Sequence, residues 1–125
     1  MANPNIVAVT SILGESTYLT PSDTAANVLL ANATSSGKVY KINQIVAANV
    51  DGSSAVNTTV AINTTAAGGG TSYPIVSTVS VPADASLIVA DKTTAIYLME
   101  NKSIVVTSGT ASKIAYTISY EVIES

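Results

Sequence analysis

The chain has 125 residues, a formal net charge of −3, and no His, Cys, Trp or Phe. Only 10% of its residues are charged, against roughly a quarter in an ordinary soluble domain, and none of the five basic residues is Arg. Histidine acid–base chemistry, thiol chemistry, disulfides and the common His/Cys zinc sites are therefore excluded, and the basic, Arg-bearing patch that nucleic acids call for is missing. The length suits one domain with one core. Ser and Thr, 16 of each, occupy the places that charges would normally fill.

From the N-terminus, Met1-Ala2-Asn3-Pro4-Asn5 reads as an arm without a basic residue. The apolar run over 6–13 that follows is too short and too polar, with Thr10 and Ser11, for a signal-peptide core. No stretch approaches the ~20 apolar residues of a membrane span. The expectation is a chain made in the cytoplasm, with no membrane partner. Residues 6–13 form a first candidate strand, 16–19 a short second piece, and 25–33 a third. The last could alternatively start as a helical turn after Pro21-Ser22-Asp23, but its β-rich surroundings favour a strand.

The turn Ser35-Ser36-Gly37 leads into a run in which Tyr40, Ile42, Val46, Ala48 and Val50 are expected on one face and Lys41, Asn43 and Asn49 on the other. Asp51-Gly52-Ser53-Ser54 reads as a tight hairpin turn, after which Val56, Val60 and Ile62 alternate with Asn57, Thr59 and Asn63. The loop Ala66-Ala67-Gly68-Gly69-Gly70 is expected to be a mobile hairpin tip. Beyond it, 73–81 forms a strand whose Pro74 suits an edge or a strand start. Short strands follow at 87–90, 95–99 and 104–107. The clearest alternation closes the chain: Ile114, Tyr116, Ile118, Tyr120 and Val122 against Lys113, Ala115, Thr117, Ser119 and Glu121. Eight or nine strands spaced about ten residues apart predict an all-β, single antiparallel β-sandwich or jelly-roll-like domain over 1–125, with residues 1–5 as its arm.

Candidate chemistry is sparse. The carboxylates Glu15, Asp23, Asp51, Asp84, Asp91, Glu100, Glu121 and Glu124 are expected at turns or strand ends, where an aspartate usually bonds its own backbone. Ser112-Lys113 and Lys102-Ser103 cannot act as dyads from neighbouring strand positions, because adjacent side chains point to opposite faces. No Asp-x-Asp-x-Asp-Gly calcium loop occurs, although Asp51 or Asp84 could hold a surface calcium. Gly68-Gly69-Gly70 is not followed by the Lys-Ser/Thr of a phosphate loop. The four Asn-x-Ser/Thr tripeptides at Asn32, Asn57, Asn63 and Asn101 read as a product of composition rather than as glycosylation sites. Of the six tyrosines, Tyr116 and Tyr120 belong on an apolar strand face, in a core or an interface. No enzyme, cofactor or metal is expected.

A surface built from Ala, Ser, Thr, Asn and Val lacks the charge that normally keeps domains apart and blunts sheet edges. It predicts a homo-oligomer or a seat in a larger assembly.

The segments Gly37-Lys38-Val39-Tyr40-Lys41-Ile42-Asn43, Ala48-Asn49-Val50-Asp51-Gly52, Val81-Pro82-Ala83-Asp84-Ala85-Ser86-Leu87, Ala95-Ile96-Tyr97-Leu98-Met99-Glu100 and Ile118-Ser119-Tyr120-Glu121, with the opening Met1-Ala2-Asn3-Pro4-Asn5-Ile6-Val7, resemble small virion structural proteins of tailed phages, particularly those of marine and cyanobacterial hosts. The resemblance covers most of the chain through turn and strand motifs. It departs at Glu100-Asn101-Lys102, which keeps one acid where many such proteins have an acidic pair. What it implies is a capsid decoration (cement) protein in the virion, bridging copies of the major capsid protein, with a trimer favoured. A neck or tail component, or a receptor- or glycan-binding β-domain, are its alternatives. The expected contacts are the arm residues Asn3, Pro4, Asn5 and Ile6, the loop residues Gly68, Gly69 and Gly70, and Tyr73.

Overall fold

The structure, a computed structural model, describes residues 7–94 and 96–124. It is all-β, with nine strands in two antiparallel sheets: β1 (Ser11–Leu19), β2 (Asn27–Asn32), β3 (Lys38–Asn49), β4 (Val56–Asn63), β5 (Ser72–Val81), β6 (Ser86–Ala90), β7 (Ile96–Leu98), β8 (Lys102–Ser108) and β9 (Ile114–Glu124). A single 3-10 turn at Lys92–Thr94 separates β6 from β7. The first sheet has the order β1-β9-β3-β6, with β7 continuing the β6 edge along β3; the second has the order β2-β8-β4-β5. Strand partners are nested in sequence, β1 with β9, β2 with β8, β3 with β6 and β7, and β4 with β5, and the successive nested pairs alternate between sheets. This is the winding of a jelly roll, two Greek keys folded face to face.

The core lies between the sheets. Ile42, Ile45, Leu98, Ile114, Tyr116 and Ile118 from the first sheet meet Val60, Ile104 and Val106 from the second, all essentially without exposure. Burying each such side chain is worth roughly 1.5–3 kcal/mol. The β9 face follows its alternation throughout, since Ile114, Tyr116, Ile118, Tyr120 and Val122 all point inward.

β3 departs from the expected faces. Its register against β9 shifts between Ile42 and Gln44, so an extra residue is inserted and every side chain beyond it changes side. Ile45, Ala47 and Asn49 are buried, while Val50 is exposed and Val46, paired with exposed Ile88, lies on the outer face. Residues 11–13 of the first expected piece and the second piece at 16–19 form one strand, Ser11–Leu19, running through Gly14, while residues 7–10 lie outside any strand. The 25–33 segment is a strand, as favoured. Asp51-Gly52 does not form a tight hairpin: β3 and β4 belong to different sheets, Gly52 is not among the positive-φ residues, and the segment is an inter-sheet crossover. There the Asp51 carboxylate accepts from the backbone N–H groups of Ser53 and Ser54 at 2.9 and 3.2 Å.

Buried asparagines tie the ends of the sandwich together. Asn49 donates to the carbonyls of Ser54 and Val81 at 3.0 and 2.9 Å and accepts from the N–H of Asp51 at 2.9 Å. Asn32 donates to the carbonyls of Lys38 and Leu98 at 2.9 and 3.0 Å. Toward one end of the core the Tyr116 hydroxyl reaches from the first sheet to Thr58 Oγ1 and the Thr107 carbonyl of the second.

Candidate docking surface

The loop at residues 64–71 folds back over the outer face of the second sheet. Asn63 anchors it from below: its Nδ2 donates to the Gly70 carbonyl at 3.1 Å, and its Oδ1 accepts from the N–H groups of Thr65 and Gly70, both at 3.0 Å. Ser103 Oγ donates to the Thr65 carbonyl at 2.7 Å, and the Ala66 N–H donates to Asn101 Oδ1 at 3.2 Å. Gly68, at φ +82°, lies so close that a Cβ there would come within 2.9 Å of Val28 Cγ2; one on Gly70 would sit 2.2 Å from Thr64 Oγ1. The loop is thus a pinned cover over Ala61 and Val105, both buried, and not the mobile tip expected. Of the sequence-predicted contacts, Gly68, Gly69 and Gly70 belong to this cover. Tyr73 is 63% exposed just beyond it on β5. Asn3, Pro4, Asn5 and Ile6 lie outside the described residues.

The first sheet presents a broad outer face. One row crosses four strands in direct register, Tyr18–Thr117–Val46–Ile88, and its two ends, Tyr18 at 80% and Ile88 at 58%, are well exposed. Beside it lies the row Ser16–Ser119–Gln44, with a 2.9 Å bond between the two serine hydroxyls. An open groove of about 530 Å³ is lined here by Asn43, Gln44, Ser119, Asp91, Lys92 and Thr93. Asp91 Oδ1 accepts from the Thr93 N–H at 2.9 Å, as a turn aspartate is expected to. Among the described residues, no group of three or more acidic, His or Cys side chains is placed to hold a metal.

Lys41 and Glu121 stand directly opposite each other on β3 and β9. Glu15 and Glu121 lie within strands, not at the turns or strand ends expected, and the Lys38–Glu124 pair at 3.7 Å is half exposed; such pairs contribute little. Hydrogen bonds from the Ser53 backbone and side chain and the Ser54 backbone, with the nearby Lys113 charge, hold the Asp51 carboxyl below its ordinary range. Burial raises the Tyr116 and Tyr120 hydroxyls above theirs.

The tyrosines are dispersed. Tyr116 and Tyr120 are buried, and Tyr40 packs on Tyr120 with ring centroids 5.3 Å apart. The exposed rings, Tyr18, Tyr97 and Tyr73, sit on three different strands, with Tyr18 and Tyr97 at opposite edges of the first sheet and Tyr73 on the second. The groove is lined by none of them.

Sequence reasoning missed the asparagine anchors. Asn32 and Asn63, which read as compositional Asn-x-Ser/Thr, are buried and fully engaged, which also keeps both from glycosylation in the folded chain. Their signal was positional: each stands at the last residue of a strand, where the neighbouring loop leaves backbone groups to be satisfied.

No family model and no curated protein matches the chain. Among solved structures it is similar to a chain of the disulfide-linked pili that form Bacillus endospore appendages, with 16% identity over 92% of this chain and 88% of that one and a TM-score of 0.48. A likeness that slight does not bear on function.

Proposed function

We propose that this protein is a structural assembly subunit, and more specifically a virion decoration protein that clamps neighbouring capsid proteins of a tailed phage. The carrying observation is the outer face of the first sheet. It offers exposed apolar side chains in register, Tyr18 and Ile88, among short Thr, Ser, Ala and Gln groups, with the facing pair Lys41 and Glu121 in a separate row of the same face, so that most of it can be desolvated at little cost. The exposed rings are spread over separate strands, which disfavours a sugar-stacking platform and supports contact by extended surface. The resemblance to phage structural proteins supplies the particle, and the homo-oligomer, three-fold in that arrangement, is part of the same reading. Repetition over a shell turns modest contacts into a large sum.

The test mixes purified protein with capsids lacking their decoration protein. Saturable binding at a fixed copy number, with a rise in the capsid's melting temperature, is the expected result. Failure to bind any capsid or tail component at 100-fold molar excess, alongside specific retention on a glycan array, would replace this reading with the receptor-binding one.

A further inference from the structure

The two sheets leave four open edges among the described residues: β1 and the β6–β7 line on the first, β2 and β5 on the second. Three are interrupted. β5 carries Pro74, two register shifts and a left-handed Thr78 at φ 52°. The β6–β7 line is split by the 3-10 turn and shifted at Ile45/Val46. β2 is six residues long with a shift between Val28 and Leu30. These are the devices by which sheets discourage edge-to-edge pairing.

β1 has none of them. Its nine residues pair with β9 in unbroken register, it contains neither Pro nor Lys, and Glu15 is its sole charge. It is also the strand least covered by the rest of the sandwich: Ile12 is 54% and Leu13 58% exposed, on opposite faces, and Tyr18 80%. An outward ladder of backbone N–H and C=O groups is satisfied best by another strand. Among the described residues, the one uninterrupted edge that can offer such a ladder is β1 itself.

We infer that β1 of one copy pairs antiparallel with β1 of a second copy across a two-fold axis, joining the two first sheets into one. The inference rests on the assembly reading above, though not on its three-fold placement. Side chains directly opposite must share a face, so the axis passes through a residue. An axis at Glu15 would set two carboxylates face to face. An axis at Ser16 avoids this: Glu15 then meets the second copy's Thr17, Leu13 meets its Leu19 on one face, and Tyr18 lies over its Gly14 on the other, a ring covering a strand glycine. Within β1, residues 13–19 of the two copies then pair with each other, a ladder about 24 Å long. So short an interface lies at the small end of specific ones, and a reversible dimer dissociating at about 1–100 μM is expected.

The chain has no cysteine, so one introduced thiol reports on one contact. Paired Cα atoms across an antiparallel ladder lie about 4.5–5.5 Å apart, within disulfide reach. Ser16→Cys is expected to give a covalent dimer under mild oxidation, while Glu15→Cys and Tyr18→Cys, which meet non-cysteine positions in the second copy, stay monomeric on a denaturing gel. In sedimentation equilibrium from 1 to 500 μM, Leu13→Lys should raise the dissociation constant at least tenfold with an unchanged melting temperature, since its side chain is exposed in the single copy. Oligomers that persist in Leu13→Lys and never crosslink through position 16 would overturn the edge pairing while leaving the assembly reading intact. A full chain that stays monomeric at 500 μM would overturn it too, including the case in which removing residues 1–6 releases dimerisation and so identifies the chain's own arm as the occupant. The capsid-binding assay then judges the assembly reading by itself.

Discussion

Replacing Tyr116 with Phe deletes one oxygen from a fully buried ring. The hydroxyl it removes joins Thr58 Oγ1 and the Thr107 carbonyl, linking the two sheets across the core. Thr58 is itself 1% exposed, so water cannot replace the lost partner. A buried polar group left in this way costs about 1–3 kcal/mol. For a chain of 125 residues, an unfolding entropy near 2.1 cal/mol/K per residue turns about 2 kcal/mol into a fall of about 8 °C in melting temperature. Thr58→Val should cost a similar amount. The double variant should recover at least about 1 kcal/mol of the summed loss, since it leaves no hydroxyl unsatisfied and only the Thr107 carbonyl without the Tyr116 donor. The pH dependence carries a second signature. Burial raises the Tyr116 hydroxyl above its ordinary value of 10.0, so the folded state holds its proton more tightly. Stability from this shift is fully present below pH 10 and is lost as pH rises through the folded-state value. Tyr116→Phe should therefore flatten the alkaline fall in stability, with the Tyr120 contribution remaining. Urea denaturation followed by near-ultraviolet circular dichroism, at concentrations below any self-association, measures all three variants. Additive single losses under 0.5 kcal/mol would refute a coupled buried pair.

Three further outcomes follow from the same geometry. Gly70→Ala must push aside Thr64 Oγ1, whereas Gly69 has open space around it, so thermal melts should show the first variant destabilised by about 1–3 kcal/mol and the second within about 0.5 kcal/mol of the parent. Thr78, β-branched yet at φ 52° in the β5 bulge, holds a conformation that costs about 1–2 kcal/mol; Thr78→Gly should leave the fold intact and raise the melting temperature by a few degrees, as differential scanning calorimetry would register. The Asp51 carboxyl, held below 3.8 by the Ser53 and Ser54 hydrogen bonds, adds stability that is present above pH 3.8 and lost as pH falls through its folded-state value; Asp51→Ala should shallow the acid limb of the stability–pH curve.

The period-two pattern of the last strand was legible because β9 contains no bulge, so parity holds from Ile114 to Val122. In β3 the same reasoning failed after Ile42: an inserted residue flips every later side chain, and composition does not mark where a strand kinks. The glycine loop misled for a related reason. Gly68 and Gly70 were read as freedom, but their missing Cβ atoms admit close approach to Val28 and Thr64.

The sequence by itself determined the class of the fold and the poverty of its chemistry. β-branched residues alternating with Ser, Thr and Asn, broken about every ten residues, suit pleated and half-buried surfaces, and side chains the chain does not possess cannot be supplied by folding. Tertiary structure decided which sheet each strand joins, turning Asp51-Gly52 from a hairpin into a crossover, and which of four edges stays unguarded. Strand pairing depends on contacts between residues far apart in sequence, such as Ser11 with Glu124 and Asn27 with Val106, and local propensity carries no record of that partner choice.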